Sequence, residues 1–391
     1  MRDPNPVFSG LGTTIFTTMS ALALEHQAIN LGQGFPDGEG PEALRRAAAE
    51  ALIAGPNQYP PMRGTPALRQ AVAAANARFY GLDMDPERNI IVTSGATEAL
   101  ADSLMALLAP GDEAIILEPA YDSYRPVIEA AGARCVAVCL DAPDWSLSEE
   151  ALAAAFSSRT KLIILNSPMN PTGKVFSEAE LDLIAELLVR HDAYAVCDEV
   201  YEHLTFSGHR HIPLMTRPGM AERTVRIGSA GKTFSLTGWK VGYITAPAAL
   251  ADVIAKTHQF VTFTTAPALQ TAIAQGLGFE DSYFDGLALD LEGKRERLAQ
   301  GLEGVGFRTL PTHGTYFLTC DISALRESSD DRSFCMEITR QAGVAAVPVS
   351  AFYADPESAP RNLVRFCFCK EDRILDEAVR RLQDYLGKVA A

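Results

Sequence analysis

A chain of 391 residues is too long for one compact core at ~100–200 residues per domain, so about two domains are expected. Apolar residues make up 47% and charged residues 21%, which excludes a disordered chain. A net charge of −15, without any run of Lys/Arg, argues against a nucleic-acid backbone as partner, because such binding needs a basic face.

The first residues, "MRDPNPVFSG", lack the apolar core of a signal peptide, and nowhere do the ~18 consecutive apolar residues of a membrane span occur. Seven scattered cysteines do not form a disulfide framework. Cys367 and Cys369 alternate on "VRFCFCK" and would share one face of a strand as buried thiols, since the spacing is not that of a zinc or redox CxxC. These features fit a reducing cytoplasm.

From about residue 89 short apolar runs alternate with longer helical patterns such as "LDLIAELLVRHD". The runs are "NIIVTSG", "EAIILEP", "RCVAVCL", "KLIILNSP", "AYAVCDEV", "TVRIGSAG" and "VGYITAP". Largely β-branched and closed by Gly, Pro, Ser, Asn or Asp, they read as strands buried on both faces of a mostly parallel sheet. A ligand should sit beyond the carboxyl ends of those strands. Polar residues of unlike chemistry gather there: Ser94 and Gly95, Pro119 and Tyr121, Asn166 to Gly173, Asp198 and Tyr201, Ser229 and Lys232. After about residue 285 the pattern becomes α+β. The expected division is an N-terminal segment 1–35, a large α/β domain 36–285 and a small α+β domain 286–391.

"GSAGKTFSLTGWKVGY" contains a Gly-Lys-Thr that could belong to a phosphate-binding loop or to an active-site lysine bonded to a cofactor. The phosphate loop, GxxxxGK[ST], requires glycine at position 226, where Arg226 stands. The Asp-Glu strand also precedes the lysine, whereas the metal-binding strand of such nucleotidases normally follows it. The nucleotidase reading fails on both counts. A pyridoxal phosphate enzyme instead needs a lysine for the aldehyde, a carboxylate against the ring nitrogen, donors near the ring hydroxyl, an aromatic face and a phosphate cup.

"NSPMNPTGKVF", "DEVYEHLTF" and "GSAGKTFSLTGWKVGY", in that order, resemble the class I (fold type I) pyridoxal-phosphate aminotransferases. Within them the chain is similar to the methionine, glutamine and kynurenine transaminase branch, from "GLGTTIF" and "AINLGQGFPD" to "VRFCFCK". The resemblance implies pyridoxal 5'-phosphate as cofactor and no metal. It makes Lys232 the covalent lysine and general base, Asp198 the partner of the ring nitrogen, and Tyr201 and Asn170 donors to the ring hydroxyl. Tyr121 would stack on the ring. Gly95, Ala96 and Thr97 would supply backbone amides to the phosphate at a helix N-terminus, with Ser229 and Lys240 beside them. Lys240 departs from the arginine of the wider family and offers a point charge in place of a planar fork, as the narrower branch does.

Arg365 matches the clamp for the substrate carboxylate and Gly34 a backbone contact to it. Ile15 and Phe16 would wall the side-chain pocket. Tyr59 and Phe263 match residues that reach in from a second subunit, which implies an isologous homodimer with shared sites. The implied reaction is ping-pong transfer of an amino group between an L-amino acid and a 2-oxo acid, with methionine, aromatic residues or glutamine as donors. Three alternatives stand beside it: β-elimination from cysteine S-conjugates, an N-succinyldiaminopimelate-type transamination, and a cofactor-bearing regulator. The last would carry a basic helix-turn-helix, and none is visible.

Overall fold

The computed structural model describes residues 2–206, 208–326, 330–355 and 359–389. Seven strands build the main sheet: β1 Ile90–Thr93, β2 Glu113–Glu118, β3 Arg134–Cys139, β4 Thr160–Asn166, β5 Tyr194–Asp198, β6 Thr224–Ser229 and β7 Gly242–Thr245. Each falls on one of the seven apolar runs. Their spatial order is β1-β7-β6-β5-β4-β2-β3. All pairings are parallel except those of β7, which runs antiparallel to β1 and β6. Most of these strands are buried along their whole length because helices cover both faces.

This topology brings the polar strand ends to one edge. Asn166 pairs with Asp198 in register, and Ser229 and Thr93 both pair with Gly242. The reversed direction of β7 matters here, because it puts the start of that strand, and Lys240 before it, at the edge where the other strands finish.

The C-terminal part carries a four-stranded antiparallel sheet in the order Val347–Pro348, Leu363–Cys367, Phe317–Asp321, Arg308–Thr309. Helices Asp281–Val305 and Asp372–Val389 pack together through Leu291, Leu298, Leu302, Leu375 and Leu382. The first of these is one continuous helix across residue 285. The N-terminal segment is tied to the C-terminal part, with Ile29 and Asn30 pairing in parallel with Val344 and Ala345. Among the described residues no helix is long and apolar enough to cross a membrane.

Candidate active site

At the strand-end edge lies a cavity of about 470 Å³. Lys232 enters it from the short helix Ala230–Thr233, which starts where β6 stops. Its Nζ donates to the Tyr316 hydroxyl at 2.7 Å, and burial lowers its pKa. The loop geometry also removes the nucleotide-binding alternative. Arg226 is buried on β6 in ion pairs with Glu199 (2.6 Å) and Glu202 (3.1 Å).

Asp198 ends β5 with its side chain buried. Tyr124 donates to Oδ2 at 2.6 Å and the Val200 amide to Oδ1 at 3.5 Å. Burial raises its pKa, against the opposing pull of the Tyr124 and Val200 hydrogen bonds and of the Lys232 charge. Asn166, at the end of β4, braces the neighbouring backbone. Its Nδ2 donates to the Asp198 carbonyl at 2.8 Å and its Oδ1 accepts from the Asn170 amide at 2.7 Å.

Arg365 projects from the Leu363–Cys367 strand and is 1% exposed. It donates to Asn170 Oδ1 at 2.7 Å and to the Gly32 carbonyl at 2.6 Å, while its Nε has no partner. The guanidinium lies 3.8 Å from the centre of the Phe317 ring. Burial pulls its pKa down to about 10. With Oδ1 accepting from Arg365 and the backbone amide spent on Asn166, the side-chain Nδ2 of Asn170 is the donor left for the cavity.

The other end of the cavity is built for an anion. Helix Ala96–Leu107 begins there with Gly95 as an N-cap that offers no side-chain hydrogen bond, leaving first-turn amides and the positive helix end exposed to the cavity. Gly95 has φ +83°, and a Cβ on it would lie 3.3 Å from Lys240 Nζ. A Cβ on Gly242 would come within 2.6 Å of the Gly95 carbonyl carbon. Small residues thus let the lysine and the amides converge. Thr97, Ser229 and Lys240 all line this end.

Beneath it sits a buried charge cluster that the sequence did not suggest. Glu98 accepts from the Ser94 amide, and its Oε1 lies 2.7 Å from His258 Nδ1, with Asp102 3.4 Å from the same nitrogen. His258 Nε2 lies 3.0 Å from the Met62 carbonyl, which can only accept, so both ring nitrogens carry protons. Burial opposes that charge, but Asp102 and Glu98 prevail and push the His258 pKa up to about 9. An imidazolium with both nitrogens engaged is no metal ligand.

Gly34, Tyr121 and Tyr201 line the cavity as well, and burial lifts the Tyr121 hydroxyl to about 12. Phe16 lines it too, but the structure moves Ile15 away from it. Ile15 packs against the C-terminal core, because neighbouring positions on helix Ile15–Glu25 point ~100° apart. Tyr59 and Phe263 do not reach their own chain's cavity. They pack edge-to-face at 5.2 Å on the surface, Tyr59 81% exposed. Tyr124, Tyr316 and Asp122 complete the site without having been foreseen. Only the aromatic content of "EPAYDSY" and "GTYFLTCDI" hinted at the two tyrosines.

A lysine amine, a buried carboxylate, a buried guanidinium and an amide-lined anion cup share this cavity, and residues 26–382 match the family model of aminotransferase class I and II. The chain belongs to that family. It is similar to the N-succinyldiaminopimelate aminotransferase structure from Mycobacterium tuberculosis, at 45% identity over 98% of this chain and 100% of that one, with a TM-score of 0.95. A methionine aminotransferase structure from Escherichia coli matches at 42% identity with the same coverage and a TM-score of 0.94. Mouse kynurenine–oxoglutarate transaminase 3 is 40% identical, covering 94% of this chain and 87% of its own. The chain is therefore an aminotransferase of fold type I, acting on amino and 2-oxo acids.

Class I aminotransferases use pyridoxal phosphate, and the residues present fit that group. The fit is in the donor set: an amine with lowered pKa, a buried carboxylate with raised pKa, and a cradle that a Cβ at Gly95 would crowd.

Proposed function

We propose that the chain binds pyridoxal 5'-phosphate in this cavity through Lys232 and transfers amino groups from neutral L-amino acids to 2-oxo acids by a ping-pong route. Methionine heads the donors, with aromatic amino acids and glutamine behind it. The observation that carries the reading is the meeting of Lys232, Asp198 and Arg365 in one cavity with the helix start at Ala96 and Thr97; the Gly95 amide, expected to join them, is instead taken by the Thr93 carbonyl at 2.8 Å.

Bound there, the cofactor supplies an aldehyde for the amino group and a cationic ring that draws electrons from the substrate Cα. Asp198 keeps that ring nitrogen protonated. Tyr201 and the Asn170 side-chain Nδ2 would donate to the ring hydroxyl, and Tyr121 would cover a ring face. Ser229, Lys240 and the first-turn amides hold the phosphate. Arg365 binds the substrate carboxylate with its free N–H groups and Gly34 closes on the same end. Lys232, whose pKa burial lowers, would take the proton from Cα and return it.

The donor preference rests on the walls. Phe16, Phe35 and Phe317 are apolar, Asp122 is acidic, and the cations among the described lining residues are Lys232, Lys240 and Arg365, each with a role above. A distal carboxylate would be desolvated there without a partner, at a cost of several kcal/mol. A thioether suits aromatic edges. The likeness to an N-succinyldiaminopimelate aminotransferase supports a second reading, with N-succinyldiaminopimelate as donor. Exposed Tyr59 and Phe263 support a homodimer in which each subunit completes the other's site.

The test is kcat/KM over a donor panel with one fixed 2-oxo acid. Methionine above aspartate and above N-succinyldiaminopimelate is expected. Aspartate ahead of methionine would contradict the neutral pocket, and N-succinyldiaminopimelate ahead of both would establish the second reading. Pyruvate released from a cysteine conjugate without any acceptor would reveal β-elimination at the same site.

A further inference from the structure

The Tyr316 hydroxyl joins three separate stretches of chain. Its oxygen lies 2.7 Å from the Gly34 carbonyl oxygen and 2.7 Å from Lys232 Nζ. A carbonyl can only accept, so the single hydroxyl proton is committed to Gly34. Toward Lys232 the oxygen can then only accept, which makes the amine the donor. A neutral amine has two N–H groups and one lone pair. One N–H is taken by Tyr316, which leaves the second N–H and the lone pair for the cavity that Lys232 lines.

The ring around this hydroxyl is held rigidly. Tyr316 is 1% exposed, meets Tyr201 edge-on at 5.2 Å and Phe317 at 4.8 Å. Gly34 is pressed against the same rings. A Cβ there would fall 2.3 Å from a Phe317 ring carbon and 2.9 Å from one of Tyr316. The position of the Gly34 carbonyl is thereby tied to the position of the hydroxyl, and the hydroxyl to the amine.

We propose that Tyr316 is a positioning residue: it docks the Lys232 amine when that amine is free, aims its lone pair into the cavity, and couples it to the Gly34 segment at the carboxylate end. The reading rests on Lys232 being the base of the proposed reaction. Its consequence is that closure of Gly34 on a substrate carboxylate and orientation of the base are one event. A donor without the carboxylate would leave the amine less well aimed.

The test is Tyr316→Phe, which keeps the ring and its packing and removes only the oxygen. Two readouts are needed. The first is the proton affinity of Lys232 in the full-length chain without added cofactor, from the pH dependence of its acetylation by acetic anhydride, followed on the Lys232 peptide by mass spectrometry. Besides Tyr316, the groups that act on this amine are Asp198, Arg365, Cys367, Cys369 and the Tyr201 ring 5.6 Å away, whose hydroxyl also bonds that of Tyr316; the substitution leaves all five in place. An acceptor oxygen helps an ammonium more than an amine, so its loss should reduce proton affinity about tenfold. The second is the half-reaction with Cα-deuterated methionine. It should slow by ~10–100-fold with a larger isotope effect than the parent enzyme shows, while KM hardly changes.

An unchanged Lys232 titration would overturn the proposal whatever the kinetics did. So would an altered titration with an unchanged isotope effect, since the contact would then have no bearing on proton transfer. A raised KM with intact kcat would make the hydroxyl a brace for Gly34 alone and overturn it equally. Failure of the underlying reading is separate, because it would surface as a covalent cofactor bond retained in Lys232→Ala.

Discussion

Replacing Arg365 by lysine keeps the positive charge and removes the fork. The guanidinium spends one N–H on Asn170 Oδ1 and one on the Gly32 carbonyl, and its buried Nε is unpartnered. Three N–H groups are therefore available to a substrate carboxylate, enough for a paired contact. A lysine ammonium at the same place has three hydrogens in all. If it keeps both protein acceptors, it can give the substrate a single bond. The loss is one charge-assisted hydrogen bond, ~1.5–3 kcal/mol, or about 10- to 150-fold in KM. On the proposed role, Arg365 would grip substrate before and during the reaction alike, so the loss should fall on KM more than on kcat. If the lysine instead abandons Asn170 or Gly32, the stability of the protein should drop by ~1–3 kcal/mol as a buried acceptor goes unmet.

The assay compares methionine with 3-methylthiopropylamine, the same side chain on an amine without the carboxylate. The penalty should be present for the first and absent for the second. An equal penalty for both would refute the argument and make Arg365 a structural ion.

Other expectations follow from the same geometry. Asp198→Asn should slow the half-reaction by about 10³-fold, from loss of an ionic partner worth ~4 kcal/mol at short range. The same variant should be no less stable than the parent at neutral pH without cofactor. The folded pKa of Asp198 is raised, so its favourable contribution exists only in acid and is lost as pH rises through the folded value. A marked fall in denaturant midpoint would count against this. His258 is raised from 6.5 to about 9, so its contribution is complete below pH 6.5 and disappears as pH climbs through about 9. His258→Gln should flatten the alkaline limb of the stability–pH curve, and an unaltered limb would show that the ring is not the titrating group. Tyr59→Phe should weaken cofactor retention in a protein that stays dimeric, and a fully active monomer in sedimentation would end the shared-site reading.

Most strands were legible because burial on both faces demands uninterrupted β-branched runs, although the edge strand β3 is largely uncovered; the parallel runs stop at the ligand edge, and the reversed β7 starts there. Lys232, Asp198, Asn170 and Arg365 stood in distinctive motifs, so their convergence could be anticipated. What escaped was orientation. Ile15 and Phe16 are adjacent and both apolar, and only the docking of their helix decides which one meets the cavity. Tyr124 and Tyr316 occupy segments that read as ordinary helix and strand. Their hydroxyls matter because Asp198 and Lys232 arrive beside them from far along the chain. The cluster of Glu98, Asp102 and His258 depends on two helices, Ala96–Leu107 and Ala248–Val261, whose contact no local pattern announces.

The central claim is that Lys232 holds the cofactor covalently. Reduction of the pyridoxal phosphate-loaded protein with borohydride, followed by digestion and mass spectrometry, addresses it directly. The account predicts the reduced cofactor on the Lys232 peptide, with no such adduct in Lys232→Ala although that variant still folds. An adduct on Lys240 or elsewhere, or an unchanged adduct in the variant, would contradict it.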